Sequence, residues 1–135
     1  MSEENPRQEK RKFVRVDSEL SVRYRFLSSD PAFTEGNTYE GRTDNIGGGG
    51  LLLTGQVPSV EWITELLMEK VLLALTIDLP EVEPVRAIAR VAWLEAIDQN
   101  TEVCQLGLMF KEITAENRDR ILELVIGAHA PDGDD

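Results

Sequence analysis

Apolar and polar residues alternate strictly from Leu20: Leu20, Val22, Tyr24 and Phe26 share one face, and Ser21, Arg23 and Arg25 the other. A period of two predicts a half-buried strand. Residues 28–37 (SSDPAFTEGN) carry loop chemistry, punctuated by Pro31 and Gly36. Thr38 to Asp44 follows as a second strand, Asn45 to Gly50 as a glycine-rich turn, and Leu51 to Thr54 as a short third strand. Ser59 to Met68 reads as a helix with Ser59 as its N-cap and Val60, Ile63 and Leu67 on one face. The apolar run 71–79 has strand length, Pro80 and Pro84 enclose a turn, and 85–94 and 103–110 read as two further strands around a loop at Gln99–Asn100. Thr114 caps a final helix, with Glu116 in its first turn and Ile121, Leu124, Val125 and Ala128 as the inward stripe. Short strands, one inserted helix and a closing amphipathic helix point to a small antiparallel barrel or sandwich.

The 135 residues make one domain, large enough for a real core, and 41% of them are hydrophobic. Residues 1–10 read as a flexible segment, 11–129 as the domain and 130–135 as an acidic tail. No apolar run reaches the roughly 18–20 residues that span a bilayer, and MSEENPRQEK has no secretory signal pattern. With one cysteine, Cys104, no internal disulfide forms. The cytoplasm is the expected location, without membrane insertion.

Charge changes the picture. The net charge of −11 disfavours nucleic acid polymers and anionic membrane. Yet five of the fourteen basic residues, Arg7, Lys10, Arg11, Lys12 and Arg15, fall within positions 7–15 against one acid, Glu9. A basic arm on an acidic body suits a small, specific anion.

Catalytic groups are sparse. His129, the only histidine, lies beside the acidic tail, and Cys104 sits in a strand as a small buried hydrophobe. No cysteines or histidines have metal-ligand spacing. Gly47 to Gly50 lacks the Gly-Lys-Ser/Thr of a phosphate loop. No catalytic residue and no metal are expected. Trp62 and Trp93 occupy apolar positions of a helix and a strand, so both are expected in the core; a base-stacking role would need an exposed ring.

Two features remain: Arg11-Lys12-Phe13-Val14-Arg15 before the first strand, and Asn45-Ile46-Gly47-Gly48-Gly49-Gly50 between the second and third strands. In this order, about 30 residues apart, they resemble the PilZ family, which carries Arg-x-x-x-Arg on an N-terminal arm and Asp/Asn-x-Ser-x-x-Gly after the second barrel strand. Arg11 and Arg15 match the first motif. Asn45 and Gly50 match the ends of the second, with Gly47 at the serine position. GLLL at 50–53, ARVAWLE at 89–95 and GLMFKEIT at 107–114 are also similar, so the resemblance covers roughly residues 10–127.

The resemblance implies a six-stranded antiparallel β-barrel closed by a C-terminal helix, binding cyclic di-GMP. It assigns ligand contacts to Arg11, Arg15, Asn45, Gly47 and Gly50, with Lys10 and Arg7 as accessory cations. The chemistry is coherent. Arginine forks match both phosphate oxygens and the O6/N7 edge of guanine. The Asn45 side-chain oxygen can accept from guanine's N–H edge, and a glycine turn lets backbone amides approach a phosphate. Gly47 lacks the serine hydroxyl, a contact worth about 0.5–1.5 kcal/mol. The chemistry leaves two readings. One is a receptor that passes the signal to an unidentified downstream protein. The other is an adaptor of the same fold that no longer binds the nucleotide and works through protein–protein contacts.

Overall fold

The computed structural model describes residues 19–34, 36–80, 82–98 and 100–129, with side chains to residue 127. Six strands form a closed antiparallel barrel: β1 (Leu20–Leu27), β2 (Tyr39–Thr43), β3 (Gly50–Gln56), β4 (Leu72–Ile77), β5 (Val85–Asp98) and β6 (Val103–Glu112). Their order around the barrel is β1-β2-β3-β6-β5-β4, with β4 closing onto β1. A 3-10 turn (Pro31–Phe33) lies in the first loop, a short helix α1 (Trp62–Leu67) precedes β4, and α2 (Ala115–His129) follows β6.

Alternation fills the barrel. Leu20, Val22, Tyr24 and Phe26 of β1 point inward, as do Leu51 and Leu53 of β3 and Leu73, Leu75 and Ile77 of β4. The Tyr24 hydroxyl, buried with its ring, donates to the Gln56 carbonyl at 2.6 Å. This satisfies a polar group that would otherwise be costly to bury. Gly55 makes room for the phenol, since a Cβ at that position would collide with the Tyr24 oxygen. Ile121 of α2 is fully buried, and Leu124 and Val125 pack partly against the same core. Thr114 caps this helix, its hydroxyl accepting from the Asn117 amide at 3.1 Å.

The barrel and the closing helix agree with the sequence reading; several details do not. β3 and β5 extend beyond the predicted ends, to Gln56 and Asp98. The inserted helix begins at Trp62 rather than at Ser59, whose hydroxyl instead accepts from the Glu61 amide in a preceding turn. Its predicted face is also wrong: Val60 is 61% and Leu67 44% exposed, whereas Trp62 and Leu66 are buried. Trp62 decides the orientation, because its ring packs edge-on against Phe26 and Phe33, with centroids 5.5 and 5.3 Å apart. Leu66 lies one turn later on the same side.

Trp93 is the largest departure. It is 46% exposed and is not a core residue. Val85, Ala87, Ala89 and Val91 point inward at alternate positions, so simple alternation puts Trp93 inside as well. A bulge intervenes: Val91 pairs with Leu108 and Trp93 with the next residue, Gly107. Two residues against one reverse the facing of the remainder of β5, and the indole emerges on the outer surface.

Candidate functional site

The Asn45–Gly50 segment is the tip of the β2–β3 hairpin. Buried Thr43 fixes its entry: the Thr43 hydroxyl accepts from the Asn45 amide at 3.2 Å and donates to the Asn45 carbonyl at 3.1 Å. That carbonyl also accepts from the Leu52 amide at 2.9 Å. Ile46 turns inward, bridges to Leu51 and anchors the tip in the core. The Gly47 amide donates to the Gly50 carbonyl at 2.9 Å, leaving Gly48 and Gly49 at the apex.

The site residues differ in what they offer. The side-chain amide of Asn45 is exposed and makes no hydrogen bond within the described residues. The amides of Gly48 and Gly49 have no hydrogen-bond acceptor among the described residues either, so the apex carries two unpaired donors. Adjacent free amides make a concavity suited to an anion. Gly50 is required by packing, since a Cβ there would overlap the Leu108 carbonyl. A Cβ at Gly47 would meet nothing within 4 Å. A Cβ at Gly48 would meet Leu122 Cδ2 of α2 at 3.1 Å, so the apex rests on the last helix.

Arg11, Arg15, Lys10 and Arg7 lie outside the described residues. The chain joins the barrel at a defined place, however. Leu20 pairs with Thr43, two residues before Asn45, and Glu19 holds Arg42 at 3.1 Å. Arg15 stands five residues before Leu20, a reach of at most about 17 Å. The first described residues, Glu19 and Leu20, thus lie beside the strand that leads into the turn.

Outside the barrel, β5, β6 and β3 carry a continuous row: Trp93 pairs with Gly107, and Gly107 with Leu52, two residues along β3 from Gly50. The indole covers Gly107, where a Cβ would overlap its Nε1. Trp93 thus presents an exposed ring two strands across from β3, and an exposed aromatic ring is a surface on which a base can stack. Periodicity alone puts this residue in the core. The signal that could have found it is Gly107, an isolated glycine in a strand, which marks close approach by another group.

Cys104 offers little to nucleophilic chemistry. Burial pushes the Cys104 thiol above its ordinary value, and the neighbouring Glu102 carboxylate adds to the effect. A protonated thiol is a poor nucleophile. Among the described residues no group of acids, cysteines or histidines could hold a metal ion, and no helix is long and apolar enough to cross a membrane.

Comparison with known proteins extends this picture. A family model described as PilZ domain matches residues 9–127. Among solved structures, the Bacillus subtilis inhibitor of motility (MotI/DgrA) is 22% identical with a TM-score of 0.58, covering 84% of this chain and 48% of its own. MrkH of K. pneumonia in its apo state is 18% identical with a TM-score of 0.59, covering 84% of this chain and 48% of its own. MrkH in complex with c-di-GMP is 17% identical with a TM-score of 0.53, over 81% of this chain and 44% of its own. This chain therefore spans under half the length of each, and the likeness establishes the fold. No curated protein matches.

Proposed function

This chain belongs to the PilZ domain family, and on that premise we propose that it is a receptor for cyclic di-GMP that relays the messenger's presence to a separate downstream protein in the cytoplasm. The observation that carries the reading is the β2–β3 apex: an Asn45 side-chain amide and two backbone donors that are unpaired among the described residues, with β1 starting beside them. MrkH, a structural neighbour, is known in complex with c-di-GMP.

In this reading Arg11 and Arg15 clamp phosphate and guanine from the arm, with Lys10 and Arg7 adding charge. Asn45 accepts from a guanine N–H, and the Gly47–Gly50 apex presents amides to phosphate. Trp93 supplies a ring for stacking, a contribution that strand periodicity conceals. The role is binding without catalysis: the ligand changes the surface shown to a partner, and no bond is made or broken.

Calorimetric titration of the purified chain with cyclic di-GMP tests this, with GMP and a short single-stranded RNA as controls. Saturable heat for cyclic di-GMP alone is expected. Absence of heat would leave the adaptor reading, which the missing hydroxyl at Gly47 favours.

A further inference from the structure

A second charged feature lies on another part of the barrel. The outer faces of β1, β4 and β5 form an open trough of about 810 Å³ that continues to the end of β6 and the first turn of α2. Its geometry comes from the register. Arg23 pairs with Thr76 and Thr76 with Arg86, while Arg25 pairs with Ala74 and Ala74 with Ile88. The middle strand thus presents small residues, Ala74 and Thr76, between long side chains on its neighbours. A low floor between high walls is what makes the trough.

The walls are basic. Arg23, Arg25, Arg86, Lys111 and Arg118 line it against a single acid, Glu112. Arg23 pairs with Asp78 at 2.9 Å and Lys111 with Glu69 at 3.5 Å. Arg25, Arg86 and Arg118 have no carboxylate within 4 Å among the described residues. On a chain of net charge −11, three unneutralised arginines on one face are a local exception. Exposed arginines that serve only solubility are dispersed among acids; these converge on one groove.

We infer that this trough is a docking surface for an acidic, helical segment of a partner protein, which would give the proposed receptor its output; the inference rests on that reading only for its purpose. Three features select the occupant. The barrel is closed, so no free strand edge is available for an added strand, and recognition must run through side chains. Arg23 and Arg86 stand two strands apart, about 10 Å, and Arg23 and Arg25 about 7 Å apart along β1. Carboxylates on successive turns of a helix recur every 5–6 Å or so, and two turns span about 11 Å, spacings that match these walls. Finally, the acidic surface beyond the trough repels a long polyanion, while a short acidic segment stays within the basic zone.

The test uses the full chain, isotope-labelled, without cyclic di-GMP. A helical peptide of about 15 residues with glutamates at i, i+4 and i+7 is titrated in, beside its glutamine twin and a short single-stranded RNA of equal charge. Amide signals of Ala74, Thr76 and Ile88 should shift with the glutamate peptide alone. Arg25→Glu with Arg86→Glu should weaken it at least tenfold, and the milder pair Arg25→Gln with Arg86→Gln should weaken it less while melting like the wild type. Calorimetry with cyclic di-GMP should give the same affinity for these variants and wild type, so failure of the docking idea and failure of the receptor reading are separable. Shifts confined to residues 7–15, an equal response to the glutamine twin or RNA, or unchanged peptide affinity in both double variants would overturn the inference. A dimer that both double variants abolish would overturn it too, by assigning the trough to a second copy.

Discussion

Trp93 lies over Gly107, and the placement of its ring requires a glycine there: an added Cβ at 107 would occupy the space of the indole nitrogen. The ring is exposed on the outer face while the glycine beneath it is buried. Stacking of one base on such a ring is worth about 1–3 kcal/mol. Trp93→Ala should therefore weaken cyclic di-GMP binding by roughly fivefold to a hundredfold, with little change in melting temperature. Because Trp62 is buried, the ligand-induced change in tryptophan fluorescence should vanish in Trp93→Phe. A full fluorescence response in that variant would place the base elsewhere.

The two ends of the glycine motif should respond oppositely to substitution. Gly47→Ser adds its side chain into open space, so the fold should be unaffected and affinity should rise several-fold as the hydroxyl gains a polar contact. Asn45→Asp offers a charged acceptor at the other motif position and should tighten binding in the same way. Gly50→Ser forces β3 away from β6 at Leu108 and should lower stability and abolish binding together. Calorimetry paired with thermal melts separates the cases; a Gly47→Ser protein that binds no better would detach this turn from the ligand.

For the arm, Arg11→Ala or Arg15→Ala should cost at least tenfold in affinity, since a charge-assisted contact contributes about 1.5–3 kcal/mol. Both positions precede the first core residue of β1, Leu20, so the melting curves should overlay wild type. Equal affinity in all three proteins would remove the arm from the site.

Alkaline stability should report on Tyr24. Burial, the largest effect, holds its phenol well above the usual tyrosine value, and the hydrogen bond to the Gln56 carbonyl exists only while the phenol keeps its proton. The unfolded phenol ionises near pH 10 while the folded one stays protonated. Its contribution is complete below about pH 10 and is lost as the pH rises further toward the folded value. Tyr24→Phe should be about 1 kcal/mol less stable at neutral pH, and its urea midpoint should fall less steeply above pH 10 than that of wild type. Parallel declines would show that the phenol is not what the barrel protects.

Much of the barrel is readable in the sequence because its strands obey one rule. β1 alternates without interruption from Leu20 to Phe26, and each apolar position of that run is buried. The closing helix is readable for a similar reason, since Ile121, Leu124 and Val125 recur at helical spacing. The failures arise where a tertiary contact overrides periodicity. In α1, the ring contacts of Trp62 outweigh a stripe through Val60 and Leu67. In β5, the bulge after Val91 inverts the facing of Trp93, and pairing register is not written in a strand's own residues. The trough is hidden for the same reason, because Arg23, Arg86 and Arg118 become neighbours only when β4 closes onto β1.

The contact between Gly48 and Leu122 gives the last helix a mechanical part in whatever happens at the hairpin apex. Leu122 and Arg118 are one helical turn apart on a common side of α2. One turn of α2 therefore joins the hairpin apex, through Leu122, to the trough wall, through Arg118, with Ile121 between them seated in the core.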